Sequence, residues 1–447
     1  MKLLFQLLVP LFFVSVIFSC SKSNDTPAPV PPASTPVLNS VTTASGIVGG
    51  PKYTIITLRG SNFTTDLSKI NVTVNGKICE IVSATVDSIK AKVPANCGSG
   101  NIVATVKGTV LNGPNFAYVY SYTLTSITNG ISGYEDGPIA TAKWEEVMGL
   151  CVDTSNNIYT SAYLKPVVRK INYDLMVAST LAGARVSGDV NGQGTNAKFG
   201  NSDNISVDNN GTIYYPDEIN DKIKKIDKNG NVTTFITNAF TNYCMTAEVA
   251  PSGNVYLLGY DITTPAIAKY NAAGVLQWKI SSHGLGTGTI DGDSSVVKFN
   301  QFAFGNMTID ENEANLYFST YSINVSGNPS QIRKVNLATL ATTTIAGLET
   351  VFGTTDGPAA SATFKLITGL ALDNQGGMYI GDAYNGRIRY LKNNTVSTIV
   401  GANGSGDVDG DISIAKVGYV MGVRFNKKGE LIISDVSAIK VKKLVID

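Results

Sequence analysis

The chain has 447 residues, 43% hydrophobic and 15% charged, with 44 glycines; that is enough to bury a large core in two domains, and the composition favours a turn-rich β protein. Lysine and arginine total 35 against 34 for aspartate and glutamate, so no basic field exists to hold nucleic acid, which is set aside as a partner.

Lys2 followed by the apolar run Leu3 to Phe18 is a targeting segment, short for a membrane span. It leads into Ile17-Phe18-Ser19-Cys20, which resembles the lipobox at which bacterial lipoproteins are cleaved and acylated. The resemblance implies that Cys20 becomes a lipidated N-terminus. It also implies a fold anchored in the bacterial envelope, at the outer membrane with its folded part outside. An ordinary secretory peptide is the alternative. Ser21 to Pro36 carries Pro27, Pro29, Pro31, Pro32 and Pro36 among small residues, a composition that stays extended as a tether.

From residue 37 to 120 the pattern becomes short alternating strands around Tyr53–Leu58, Ile70–Val74, Ser88–Val93 and Asn101–Val106, with Asn75-Gly76 as a hairpin signal. These predict a small immunoglobulin-like β-sandwich. Gly60-Ser61-Asn62-Phe63, Val74-Asn75-Gly76, Val93-Pro94 and Gly113-Pro114-Asn115-Phe116-Ala117-Tyr118 together resemble the TIG (IPT) family, whose domains serve as spacers or accessory binding modules. Cys79 and Cys97 lie in this segment. An exported compartment permits a disulfide between them, and two free buried thiols are the equal alternative.

Residues 121–447 carry a unit laid out six times. First strands end at Asp153, Asp208, Ala250, Asp310, Asp373 and Asn426; second strands include Ile158-Tyr159, Ile213-Tyr214, Val255-Tyr256, Leu316-Tyr317, Met378-Tyr379 and Leu431-Ile432. Third strands bear a cation, as in Val168-Arg169-Lys170-Ile171 and Ile388-Arg389-Tyr390-Leu391. The strand ends recur every 42 to 63 residues, which fits propeller blades with enlarged loops. The last repeat stops at its third strand, and Thr123–Thr128 supplies the missing pattern. The prediction is an all-β chain: the Ig-like sandwich, then a six-bladed β-propeller closed by its first strand, a pairing that removes an exposed edge.

The recurring Asp-Gly (Asp136-Gly137, Asp291-Gly292, Asp356-Gly357, Asp409-Gly410), the Ala-x-Phe that follows (Ala197-Lys198-Phe199, Ala362-Thr363-Phe364) and the Tyr-x-x-Asp…Arg/Lys pattern resemble the NHL-repeat propeller family. The third repeat departs most. On this plan the sandwich joins the face of third-to-fourth turns, and the opposite, distal face presents the long loops, where binding usually resides.

One histidine, His283, follows Ser281-Ser282 in a loop, which argues against a His-ligated zinc or a His-based triad. Asp217, Asp382 and Asp435 fall at equivalent second-strand positions near the channel mouth. Convergent carboxylates there can hold Ca²⁺ or act as an acid and base pair; the alternative is that each bonds its own turn backbone. Asp407-Val408-Asp409-Gly410-Asp411 lacks the Gly and Glu of a calcium loop and reads as another Asp-Gly turn. Trp144, Tyr163, Tyr215, Tyr243, Tyr260, Tyr321 and Tyr384 fall at loop ends among Asn, Asp and Thr, a setting suited to the apolar face and hydroxyls of a sugar. Trp278 is assigned to a core. The expectation is a non-enzymatic, surface-displayed binding protein for an extracellular polysaccharide or oligosaccharide, with no metal or cofactor required. A protein-interaction scaffold, with outer-membrane proteins as partners, and a metal-assisted lyase or hydrolase are the alternatives.

Overall fold

The computed structural model describes residues 34–283, 288–322 and 326–447. The lipobox at Cys20, the apolar run before it and most of the tether lie outside the described residues. The chain forms two compact units, one up to Tyr118 and one from Val119 to Asp447. No helix among the described residues is long and apolar enough to cross a membrane.

The first unit has two sheets. One orders Val37–Thr42, Ile55–Ser61, Ser88–Lys92 and Glu80–Ala84; the other orders Gly49–Gly50, Thr109–Tyr118, Gly100–Val106, Ile70–Val74 and Lys77–Ile78. Alternate residues turn inward, so Ile56, Leu58, Val72, Val74, Ile89, Ile102 and Phe116 form a fully buried core. Asn75 (φ 48°) and Gly76 (φ 76°) both take the left-handed region, the requirement of a tight two-residue hairpin. Cys79 and Cys97 are buried free thiols in this structure rather than a disulfide. Burial and the neighbouring Cys97 push Cys79 up to about 12, and burial pushes Cys97 up to about 11, so both hold their protons.

The described residues of the second unit form six antiparallel sheets. Their first strands are Leu150–Val152, Ser206–Val207, Tyr243–Val249, Gln301–Ile309, Ile367–Leu372 and Val420–Phe425. Each packs beside the next and the last beside the first, closing a ring. Closure uses the opening strand: Tyr122–Ser126 pairs antiparallel with Lys440–Ile446, with Leu124 opposite Leu444 and Thr123 opposite Val445. Both leucines are fully buried, so this seam is core. The third repeat also has a fourth strand, Leu276–Ser281, in which apolar Leu276, Trp278 and Ile280 alternate with polar Gln277, Lys279 and Ser281. Trp278 is half-buried on that outer strand, against Tyr256 with ring centroids 6.0 Å apart.

The recurring residues are the scaffold. Strand-end Asp153, Asp208 and Asp373 each accept two backbone N–H groups of the following turn, at 2.7 to 2.9 Å; Asn426 does the same. Such Asx turns fix the sharp reversal between first and second strands. In the Asp-Gly loops, Asp136, Asp291, Asp356 and Asp409 pair with the buried third-strand cations Arg169, Arg333, Arg389 and Lys442 at 2.6 to 3.0 Å. Their second oxygens accept the fourth-strand N–H groups of Thr180, Thr344, Thr398 and Ser126. In the second repeat Asn191 takes the Asp place, bonding Lys224 at 3.1 Å. The third repeat has Ala268 in place of the cation and no such brace. Ala197, Phe199, Ala362 and Phe364 are fully buried pegs between neighbouring sheets.

Candidate functional site: the mouth of the ring

First strands begin, and second strands end, on one face of the ring, where tyrosines recur and the carboxylates beside them do not. Tyr163 follows Ile158–Ala162; Asp203 precedes Ser206–Val207, and Glu218 follows Ile213–Asp217. Tyr243 opens and Tyr260 nearly ends neighbouring strands, Tyr321 ends Asn315–Tyr321, Tyr384 follows Met378–Asp382, and Tyr419 precedes Val420–Phe425. All six sheets therefore contribute a group to one mouth.

Several of these groups meet. Tyr384 stacks on Tyr419 at 5.3 Å and Tyr243 on Tyr260 at 5.2 Å. The Asp203 N–H donates to Glu218 Oε1 at 3.1 Å. The Tyr163 and Leu164 N–H groups donate to Glu146 Oε2 at 2.6 and 2.9 Å. Burial, then the charge of Glu146, raises Asp203 above the usual carboxylate range. Burial, then Asp203, raises Glu218. An Asn201 hydrogen bond pulls the Tyr163 phenol down, but burial and the Glu218 and Asp203 charges carry it upward overall. Burial raises Tyr243 and Tyr321; Glu218 adds to the first and Tyr384 to the second. Tyr419 is raised by burial and by Tyr384, with Asp203 and Tyr321 adding. The result is a collar of tyrosine rings around a repelling pair of carboxylates.

The far end of the channel is barred. Arg424 donates to Glu248 Oε2 and to the carbonyls of Leu370 and Met307, joining first strands from four sheets. Both residues stand next to the last position of their strands, opposite the mouth.

The aromatic residues singled out from the sequence divide. Tyr163 and Tyr321 are half-buried and Tyr384 is 47% exposed, all at the mouth. Tyr260 is buried beneath Tyr243. Trp144 is a correction: it is 1% exposed in the core, with the Arg169 guanidinium over its ring at 4.1 Å. It stands as far after Asp136 as Phe364 does after Asp356 and is the same inter-sheet peg, a signal present in the sequence. Tyr215 is also corrected to core. It is fully buried, donates to the Gly200 carbonyl at 2.8 Å and packs on Phe199 at 4.5 Å.

The three second-strand carboxylates are fully buried braces and do not open to the mouth. Asp217 accepts from the Gly200 N–H and the Asn220 amide, both at 2.8 Å. Asp382 accepts from the Lys365 N–H, Asn385 and Arg389 at 2.8 to 3.0 Å, and burial outweighs these bonds to raise it to about 6. Asp435 accepts from the Gly418 N–H at 2.8 Å and Ser437 Oγ at 2.9 Å. Among the described residues no group of three or more His, Cys, Asp or Glu is arranged to hold a metal ion. Asp407 pairs with Lys440 and Lys442, again as a loop brace. His283 is an exposed loop residue whose N–H donates to the Val297 carbonyl at 2.8 Å. Asp203, Glu218, Glu146 and Tyr419 went unmarked in the sequence, because nothing in a single repeat distinguishes them from loop polar residues.

With this geometry in hand, comparison with known proteins gives the class of the chain. Residues 36–120 match the IPT/TIG domain, and the chain joins that immunoglobulin-like domain to a β-propeller. No curated protein matches it in sequence. Among solved structures it is similar to a protein of unknown function from Bacteroides thetaiotaomicron, with TM-score 0.67, 18% identity and coverage of 93% of this chain and 99% of that one. It is also similar to an auxiliary nutrient binding protein from Bacteroides thetaiotaomicron (TM-score 0.55, 18% identity, 92% and 98% covered). A third, an auxiliary nutrient binding protein from Bacteroides ovatus, has TM-score 0.55 and 16% identity, with 94% and 100% covered. These likenesses are of fold.

Proposed function

We propose that this chain is a non-catalytic binding protein, held at the bacterial envelope through Cys20, that takes an extracellular saccharide at the mouth of its NHL-like, six-bladed propeller. The observation that carries the reading is the collar. Tyrosine rings from separate sheets, Tyr384 and Tyr419 among them, surround polar groups at the mouth of a channel closed at its far end. Flat rings cover the apolar face of a sugar while carboxylates and phenols bond its hydroxyls. Two fold neighbours carry the name auxiliary nutrient binding protein, which agrees with a binding role.

Calorimetric titration of the full chain with a panel of oligosaccharides tests this. Binding should occur without turnover, and Tyr384→Ala with Tyr419→Ala should weaken it by about tenfold or more, roughly 1.4 kcal/mol. Hydrolysis or elimination of a bound saccharide would replace the reading with the enzymatic one. A second reading, a protein-binding scaffold, is favoured by the exposed apolar tips Leu164, Ile219 and Ile262 on successive second-to-third turns of the same face. Polar substitution of these three would then abolish partner capture and leave saccharide binding unchanged.

A further inference from the structure

We propose that the ligand held at the mouth is a cationic saccharide, one whose sugar carries a free ammonium group seated against Asp203 and Glu218 within the tyrosine collar. The inference rests on the reading of the mouth as a saccharide site and adds the charge of the ligand.

Asp203 is 7% exposed. Among the described residues its carboxylate accepts no hydrogen bond and joins no ion pair. A buried carboxylate left so is costly unless something else pairs with it. Its charge is felt by Tyr163, Tyr243 and Tyr419, which belong to three other sheets, so it faces the common mouth. Glu146 and Glu218 bring two further acids, and neither forms an ion pair with a described lysine or arginine. The brace aspartates of the same ring each have a cation; the mouth acids do not. The missing partner therefore comes from outside.

Its nature follows from the surroundings. Among the described residues no three His, Cys, Asp or Glu are grouped as metal ligands, which favours an organic cation over a compact inorganic one. An ammonium on an organic frame is a good one: carboxylates neutralise it, and the electron-rich faces of surrounding rings add cation–π attraction. The same rings cover the apolar face of the sugar bearing it. Asp203 and Glu218 repel each other, with Glu146, Asp217 and the phenols of Tyr163, Tyr243 and Tyr419 facing them. An arriving cation removes the reason for the pair to keep a proton, so binding and deprotonation are linked.

The test is calorimetric titration of the full chain at neutral pH with three probes: a glucosamine trimer, its fully N-acetylated counterpart and a neutral glucose trimer. The glucosamine trimer should bind about tenfold or more tightly than the others. Repeating it at mildly acidic pH, where the probe's amines already carry their protons, in buffers of different ionisation enthalpy should show proton release on binding the amine and none with the neutral probe. Asp203→Asn and Glu218→Gln should each abolish the preference while their melting temperatures stay level or rise, since each removes repulsion. Equal affinity for all three probes, or a preference that survives both substitutions, overturns the inference and leaves the saccharide site standing. Failure of every probe to bind overturns both.

Discussion

Arg424 and Glu248 form an ion pair at 3.2 Å between the first strands of the last and third repeats. The pair joins strands that are not neighbours in the ring, and Arg424 reaches the Leu370 and Met307 carbonyls on the way. With side-chain exposures of 13% and 14%, it ties the ring together internally and closes the channel opposite the mouth.

Glu248→Ala should destabilise the protein by about 3 to 5 kcal/mol, because it leaves a buried guanidinium without its counterion. Joint replacement of Glu248 by Leu and Arg424 by Met should recover most of that loss. Denaturant unfolding of the single and double variants checks it; equal losses in the two would show that the charge pair itself, rather than the orphaned arginine, matters.

Asp356→Ala removes the exposed partner of Arg389, whose side chain is fully buried and also bonds Asp382. The expected loss is about 2 to 3 kcal/mol, less than for Glu248 because Asp382 and two backbone carbonyls still hold the guanidinium. The same substitution at Asp293, an exposed loop residue whose side chain bonds Ser295, should change unfolding free energy by less than about 0.5 kcal/mol.

Trp144→Ala should cost about 3 to 5 kcal/mol, as expected for emptying a buried aromatic site, and Tyr384→Ala less than about 1 kcal/mol, since that ring is 47% exposed. Paired thermal melts decide this. A benign Trp144→Ala would return that indole to the surface and contradict the assignment to core.

The mouth carboxyls make stability depend on pH in a stated direction. Burial and the Asp203 charge raise Glu218 from its ordinary 4.5 to about 9, so the folded protein holds this proton more tightly than the unfolded chain. The associated stabilisation is complete below pH 4.5 and is lost as pH rises through about 9. Glu218→Gln removes this dependence. The variant's melting temperature should therefore exceed that of the unaltered chain by a margin that widens from acid to alkaline pH. A margin that narrows would mean that Glu218 gains a favourable charge partner on folding.

The architecture was legible because the residues that build it recur. Asp153, Asp208 and Asp373 fix the same turn, and Asp136, Asp291 and Asp356 hold the same buried arginine, so six imperfect copies reinforced one another. The closing strand at Leu124 was visible for the same reason. The site was less legible because a binding group at the mouth need occur only once. Asp217, Asp382 and Asp435 drew attention by recurring, and recurrence marked them as braces. Asp203 and Glu218 come together where the Asp203 N–H donates to Glu218 Oε1, a juxtaposition that no spacing in the chain announces. Trp144 has the chemistry of a sugar-binding ring, yet its distance from Asp136 aligns it with the buried Phe364.

The most direct measurement is a crystal structure of the chain soaked with a saccharide that binds it in solution. Density for a sugar ring is expected against Tyr384 and Tyr419, with a polar group of the ligand within hydrogen-bond reach of Asp203 or Glu218. A well-ordered saccharide bound elsewhere on the protein, with the tyrosine collar empty, would contradict it.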